Sequence, residues 1–389
     1  MEGFHRDRLT WLLYAMLAWF AYLQAVPGLV VPRLRDELGF SYSVGGLHVA
    51  AFAAGSAVAG AVSARLERAV GRGMLLWSAA AVMAIGAGLL TVAGAVPATI
   101  GSIALMGAGG GTLLATVQAG LSEHHGEQRG VALTEANVAA AASYLLLAGV
   151  LLAVGALGLG WRAALLLALL VPVLAFLSNR RTRIDAAAPS DAAVPRGRLP
   201  GVFWVAAVML MCAVAAEWCV TAWGATFVQQ AAASTPDAAV AVMAGYFVGV
   251  LAGRVLGSGL TRRYDPAVLL GVALGVALLG FALLWPSTGP LQAAAGLTLL
   301  GVGIGNLFPM GVSVAVGLAP GRSATASGRV VVVTAVAILL APLTVGTLAD
   351  ATSLKAALVV VPVLVCLAAV ALGVVVRARA SAAVTASAP

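Results

Sequence analysis

The sequence predicts an all-α integral membrane protein whose chain crosses the bilayer twelve times. Hydrophobic residues make up 62% of the 389 residues and charged residues only 9%, whereas soluble domains carry about 25% charged residues. Twelve charge-poor runs of about 20 residues or more follow one another, and at about 1.5 Å per helical residue each can cross a hydrocarbon core of about 30 Å. One long polar stretch at 179–200 separates six runs from six.

The twelve runs are defined by charges and by turn-forming residues. The first six lie at 9–31, 44–64, 74–94, 98–120, 130–153 and 157–178, and the second six at 201–227, 238–258, 267–286, 290–316, 325–348 and 354–376. Two neighbouring pairs have no charge between them. Segments rich in glycine and proline, 94–97 and 286–290, set those two boundaries.

The basic residues predict the orientation of the chain. With the N-terminus in the cytoplasm, only Arg33, Arg35, Arg162 and Lys355 of the 22 basic residues fall outside. This strong positive-inside bias places both termini in the cytoplasm of a multi-pass protein of the cytoplasmic (inner or plasma) membrane. Because the net charge of +8 is spread over short loops, we expect a lipid bilayer and not a nucleic acid as the partner.

The polar stretch also predicts the domains. We expect a six-helix half over 1–178, a cytoplasmic linker over 179–200, a second six-helix half over 201–378 and a disordered tail over 379–389. Shifting the second half back by 194 residues aligns Gly55 with Gly249 and the glycine-rich segment 107–111 with 301–305. Internal repeats are common in transporters, so this shared offset predicts two pseudo-symmetric halves.

Four short motifs stand out in the sequence. The loop after the second run reads Glu-Arg-Ala-Val-Gly-Arg at 67–72, and the sixth run opens Gly-Trp-Arg at 160–162. The others are a Gly-Tyr-Phe segment ending in Gly-Arg over 245–254 and an Ala-Pro segment ending in Leu-Ala-Asp over 341–350. Together these motifs resemble those of the major facilitator superfamily. The fifth run lacks the proline of the motif typical of drug/proton antiporters, so that subclass is not supported.

The resemblance implies a secondary active transporter that moves a small organic solute by alternating access, with protons as the coupling ion. It implies a monomer with no cofactor and no enzymatic activity. An uncoupled facilitator and, less well suited, a permease subunit with a partner ATPase remain alternatives. A membrane enzyme is disfavoured because its only candidate cluster, His124 and His125 beside Glu123 and Glu127, lies in a cytoplasmic loop.

Glu217 is the candidate proton-coupling residue. It lies 16 residues into the seventh run, about 24 Å from its cytoplasmic start at about 1.5 Å per residue. Ionisable residues at such depth are costly to bury and usually serve a function. The alternative is a structural carboxylate bonded to a neighbouring helix. Since no basic residue is expected at this depth, the sequence mildly favours a hydrophobic, neutral or cationic organic solute over an anion.

Two further sets of candidates follow from the helices that line the cavity in the resembled family. Charged residues at the cytoplasmic ends of runs 2, 5, 8 and 11 would form an inner gate, or static salt bridges. They are Glu67, Arg68, Glu135, Arg254 and Arg329. The resemblance implies that Glu135 pairs with Arg254 and that Glu67 pairs with Arg329. Polar residues in the runs would bind substrate, or bond between helices as is common in membranes. They are Tyr22, Gln24, Thr112, Thr116, Trp218, Thr221 and Asn306.

The orientation is tested by reporter fusions along the full chain. Fusions at either terminus and within 179–200 should report a cytoplasmic location, and fusions near Asp36 and Lys355 an external one, because basic residues are retained on the cytoplasmic side. An external terminus would contradict the arrangement of six spans on each side of the linker.

Overall fold

The computed structural model describes residues 4–180, 182, 184, 199–261, 263–320 and 322–386, and they are helical nearly throughout. Seven helices precede the polar stretch: α1 (Arg8–Leu38), α2 (Tyr42–Val70), α3 (Arg72–Val92), α4 (Val96–His125), α5 (Arg129–Ala156), α6 (Trp161–Ala168) and α7 (Leu170–Asn179). Eight follow it: α8 (Gly201–Ala231), α9 (Pro236–Leu260), α10 (Pro266–Leu284), α11 (Pro290–Ile304), α12 (Leu307–Gly317), α13 (Ser323–Ala351), α14 (Leu354–Ala357) and α15 (Val360–Ala386).

The predicted all-α, polytopic membrane class is confirmed. Among the described residues, eleven helical stretches are long and apolar enough to cross a membrane, and one of them, Val96–Ala156, is 61 residues long. That stretch contains α4 and α5, joined by a 3-10 turn at Gly126–Gln128. Since α4 has 30 residues and α5 has 28, each is long enough to cross alone, which accounts for the twelve predicted spans.

The chain forms two compact units, Met1–Ser190 and Asp191–Pro389. The division falls inside the 179–200 segment, most of which lies outside the described residues.

At the C-terminal end of the chain, α15 continues to Ala386, so the disorder predicted from residue 379 does not begin there. The alanine-rich sequence after Arg379 favours helix strongly enough to extend the last span. Residues 387–389 lie outside the described part of the chain.

Three predicted spans each contain two consecutive helices. The sixth consists of α6 and α7, the tenth of α11 and α12, and the twelfth of α14 and α15. In each case a proline follows the interruption: Pro172, Pro309 and Pro362. Proline has no N–H to donate to the carbonyl four residues earlier, and its ring clashes with that carbonyl, so the helix is broken at that point.

Glycines allow helix backbones to touch in both units. In the first unit a Cβ at Gly107 or Gly111 of α4 would collide with the α2 backbone, at Phe52 and at Ser56. In the second unit a Cβ at Gly301 or Gly305 would collide with the α9 backbone, at Tyr246 and at Val250.

The same offset of 194 residues relates both the glycines and the partners that they touch. A third contact follows it as well, since Gly109 meets Met83 and Gly303 meets Ala277. Small residues that permit close backbone approach are the usual means of helix association in lipid. The offset therefore reflects one packing arrangement that is built twice.

Gly111→Ala should destabilise the protein because its methyl group would overlap the carbonyl of Ser56. We expect a loss of about 2 kcal/mol or more in the free energy of unfolding, as for other overpacked interiors. Gly101→Ala in the same helix is the matched control, since nothing lies within 4 Å of a Cβ there. The control should gain about 0.5–1 kcal/mol from helix propensity. Denaturant unfolding in detergent measures both, and equal effects would refute the close contact.

Candidate functional site

Glu217 and Arg254 form an ion pair within the second unit. Glu217 is on α8, most of whose residues from Ala206 to Val228 are buried, yet its side chain is 19% exposed. The side chain of Arg254 is 26% exposed, and its Nη2 lies 4.0 Å from Oε1 of Glu217. A carboxylate and a guanidinium thus face each other between two membrane-spanning helices, and neither side chain is fully buried.

The expectation that no basic residue lies as deep as Glu217 is wrong. Arg254 lies near the end of α9, which runs to Leu260, and a count along the helix places its Cα close to the membrane surface. Its guanidinium stands at the end of a long aliphatic stem and therefore lies far from its own Cα. Because the site carries both charges, it provides no basis for preferring a cationic solute.

Polar side chains surround this pair on α8 and α9. Thr221 is one turn beyond Glu217, and its hydroxyl donates to the backbone carbonyl of Glu217 at 2.9 Å. The hydroxyl of Tyr246 lies 3.5 Å from that of Thr221. Trp218, next in the chain, is partly exposed. The predicted residues Glu217, Trp218 and Thr221 thus share the partly accessible part of α8.

Asn306 lies where the tenth span is interrupted and is buried there. Its side-chain amide donates to the carbonyl of Gly253 at 2.6 Å, and the Nε of Arg254 donates to the carbonyl of Gly305 at 3.4 Å. Asn306 therefore joins two helices. Its predicted contact with substrate remains a prediction.

Most of the predicted polar residues in the first unit also bond to neighbouring structure. The Tyr22 hydroxyl donates to the carbonyl of Ala164 at 3.0 Å, and the amide oxygen of Gln24 accepts from the Tyr144 hydroxyl at 2.9 Å. The hydroxyls of Thr112 and Thr116 donate to carbonyls one turn earlier in α4. Gln24 is partly exposed whereas the other three residues are buried.

Glu135 is paired inside its own unit with Arg6, a residue near the N-terminus. The guanidinium of Arg6 donates to both carboxylate oxygens of Glu135, at 2.8 and 2.6 Å, and the Tyr14 hydroxyl donates to the same carboxylate at 3.2 Å. Pairing of Glu135 with Arg254 remains a prediction, as does pairing of Glu67 with Arg329. Arg329 itself is exposed on α13.

The residues before α1 are joined to the end of α4. Asp7 accepts from the backbone N–H and the hydroxyl of Thr10, and His124 lies 2.8 Å from its second oxygen. Partial burial raises the pKa of Asp7, but the hydrogen bonds from Thr10 and His124 outweigh it, so this pKa lies below its ordinary value. The histidine pair considered as an enzyme cluster thus contacts the cap of α1, with His125 bonded to Thr10.

Arg72 holds the motif at 67–72 together. Its side chain is only 4% exposed and donates to Glu67 and to Glu123 at distances of 2.6 to 3.0 Å. Arg68, which the sequence analysis selected, is exposed and bonds only weakly to the carbonyl of Ala64, at 3.3 Å. The motif therefore ties the start of α3 to the ends of α2 and α4 through its last basic residue.

The opposite end of the first unit has its own ion pair, built from the Gly-Trp-Arg motif. Glu37 of α1 accepts from the indole N–H of Trp161 at 2.8 Å and from the guanidinium of Arg162 at 2.6 Å. Arg162 also donates to the carbonyl of Thr91 at the end of α3. Three helix ends are thereby joined by one carboxylate and one guanidinium.

Arg72→Gln should destabilise the protein because it leaves two carboxylates facing each other without a cation. Removing one partner of a buried ion pair costs about 3 kcal/mol. Arg68→Gln is the matched control, and as an exposed substitution it should change the free energy of unfolding by less than about 0.5 kcal/mol. Denaturant unfolding in detergent compares the two variants. Equal losses would show that Arg72 does not hold the cluster.

The architecture and sequence match a known family. The model of the Major Facilitator Superfamily matches residues 10–296, more than half of the chain, whereas no curated protein matches it in sequence. A bacterial homologue of the human lysosomal transporter Spinster, inward-facing and occupied, has a TM-score of 0.78 at 15% identity, covering 96% of this chain and 98% of that chain. A D-xylose–proton symporter has a TM-score of 0.77 at 16% identity, covering 94% and 96%.

At these identities the solved structures establish the fold alone, whereas the family match extends over most of the chain. The resemblance inferred from the motifs is therefore confirmed. The chain belongs to the major facilitator superfamily and is a membrane transporter, not an enzyme.

Proposed function

We propose that this transporter moves a small organic solute across the cytoplasmic membrane by alternating access and couples that movement to protons through Glu217. The observation that carries the proposal is the Glu217–Arg254 pair, which lies within the membrane-spanning helices and is only partly buried. Ionisable residues inside a bilayer are expensive, and they typically mark ion pathways or proton relays.

The geometry of the pair supports a group that gains and loses a proton. Charge-assisted hydrogen bonds to guanidinium are about 2.7–2.9 Å long, whereas Arg254 and Glu217 are 4.0 Å apart. The carboxylate is therefore attracted to a positive charge without being held by it. A carboxylate that is paired this loosely can still accept a proton.

Glu217 contrasts in this respect with three other glutamates of the described helices. Glu135, Glu37 and Glu67 each accept at least one direct bond of 2.6 Å from an arginine. Such short, charge-assisted contacts hold each carboxylate in one fixed arrangement with its arginine. The loosely paired Glu217 is the better candidate for reversible protonation.

Proton coupling is also compatible with the fold. One of the solved structures that shares it is a D-xylose–proton symporter, so this architecture can couple a proton to a solute. An uncoupled facilitator, in which Glu217 would serve only as a substrate ligand, is the alternative. A permease subunit that depends on a partner ATPase is less well suited to a chain of two six-helix units.

Glu217→Gln distinguishes these roles. Glutamine retains the shape and hydrogen-bonding capacity of glutamate but does not ionise. In proteoliposomes, the variant should still exchange a solute identified by a thermal-shift survey, yet should lose its accumulation driven by a pH gradient. Glu127→Gln, in an exposed turn, is the matched control and should accumulate solute like the parent.

The other outcomes separate the alternatives. Accumulation like that of the parent would refute coupling through Glu217. A fall in affinity with or without a gradient would identify Glu217 as a substrate ligand in a facilitator. Co-purification of an ATPase required for flux would instead support the permease subunit.

A further inference from the structure

The tenth span contains a carbonyl that its own helix does not satisfy. Pro309 follows the interruption between α11 and α12 and has no N–H to donate to the carbonyl of Gly305. The amides nearby are held by long bonds, with Asn306 N–H donating to Gly303 at 3.4 Å and Met310 N–H donating to Asn306 at 3.2 Å. Since the bilayer core supplies no water, such a carbonyl needs a donor from elsewhere in the protein.

Arg254 supplies that donor. Its Nε lies 3.4 Å from the carbonyl oxygen of Gly305, while its Nη2 lies 4.0 Å from Glu217. Asn306 keeps the interruption against α9 through its bond to Gly253. One guanidinium is thus shared between the carboxylate of α8 and the unsatisfied carbonyl of the tenth span, and both contacts are longer than an optimal hydrogen bond.

The backbone contact between α9 and α11 keeps this arrangement in register. A Cβ at Gly249 or Gly253 would collide with backbone atoms of Thr298 and Val302. The two helices therefore approach as closely as backbones can, up to the point where the tenth span is interrupted. Arg254 follows directly after Gly253, so a small movement of its side chain is sufficient to change partners.

The other ionisable groups of the helices that contact α8 do not take this place. Helices α11 and α12 carry none. The ionisable residues of the remaining helices are Asp237, Tyr246 and Arg254 on α9, Arg329 and Asp350 on α13, Lys355 on α14, and Cys366, Arg377 and Arg379 on α15. Arg254 is the group that forms the ion pair with Glu217. The hydroxyl of Tyr246 lies near that of Thr221, which donates to the backbone carbonyl of Glu217.

We propose that Arg254 transmits the protonation state of Glu217 to the interruption of the tenth span at 305–309. When Glu217 is ionised, its charge draws the guanidinium away from Gly305 and loosens the interruption. When one proton binds to the carboxylate, that attraction is lost, and Arg254 closes onto the carbonyl and tightens the interruption. Arg254 is a positioning residue in this scheme, which rests on the proposed proton-coupled function.

The sixth span provides a natural comparison. Pro172 likewise leaves the carbonyl of Ala168 without its helical donor, and the indole N–H of Trp19 donates to that carbonyl at 2.9 Å. In both spans a side chain of a neighbouring helix donates to the carbonyl that the proline leaves free, but the indole of Trp19 is neutral and does not titrate. This interruption should therefore be insensitive to pH.

The test is hydrogen–deuterium exchange of the full chain in detergent, read by mass spectrometry and corrected for intrinsic rates, between about pH 5 and about pH 8. In the parent, the amides of Asn306, Leu307, Phe308 and Met310 should exchange about tenfold faster at the higher pH, a typical size for coupling between sites. In Glu217→Gln they should remain protected throughout, because the neutral side chain cannot draw Arg254 away.

Two proline variants complete the test. Pro309→Ala restores the missing N–H, so the same amides should be protected at both pH values. Pro172→Ala is the matched control and should keep the tenfold response of the parent. Glu217→Gln and Pro309→Ala act on different parts of the proposed link. If one variant does not fold, the other still tests whether Glu217 controls the exchange of these amides.

A pH response at 306–310 that persists in Glu217→Gln would overturn the inference, as would a parent with no response. In either case the accumulation measurement on Glu217→Gln still decides the proposed function by itself. If accumulation depends on Glu217 while the tenth span does not respond, the protonation site stands and the link through Arg254 fails.

Discussion

The absence of water in the hydrocarbon core is the constraint on which most of this structure depends. Every backbone carbonyl and every charge within a span must find its partner in the protein. At Ala168 and Gly305 a downstream proline removes the helical donor, and Trp19 and Arg254 replace it from neighbouring helices. A polar contact that would be minor in a soluble protein here determines where a helix can be interrupted.

The same constraint explains why two kinds of ion pair occur. At the helix ends, Arg72, Arg6 and Arg162 make short contacts of 2.6 Å with carboxylates. Arg72 and Arg162 each join three helices, and Arg6 joins the segment before α1 to α5. Inside the second unit, Arg254 and Glu217 are 4.0 Å apart. Tight pairs favour one fixed arrangement, whereas a loose pair that shares a guanidinium with a carbonyl permits two.

Glycine positions set the distances on which these contacts depend. In each unit three glycines of one span meet the backbones of two neighbouring helices, and the partners in the two units are related by the same offset of 194 residues. Close approach without side chains gives directional contacts between backbones, which lipid cannot replace. The close backbone contact between α9 and α11 brings Arg254 to the interruption of the tenth span. The repeat therefore contributes to the candidate site as well as to the fold.

Hydrophobic run length, basic residues and breakers were sufficient to predict the class, the twelve spans and the family, because each is a local property of the chain. They also identified Glu217 as an acid within a span. The partners of the charged residues are not predictable from the sequence, because only the fold brings Arg6 to Glu135 and Arg72 to Glu123. The depth of Arg254 was misjudged because a count along the helix locates a Cα and not the end of a long side chain. The prolines at 172 and 309 were visible in the sequence, but which donor serves each freed carbonyl depends on the helix packed beside it, and that was decided by the tertiary structure.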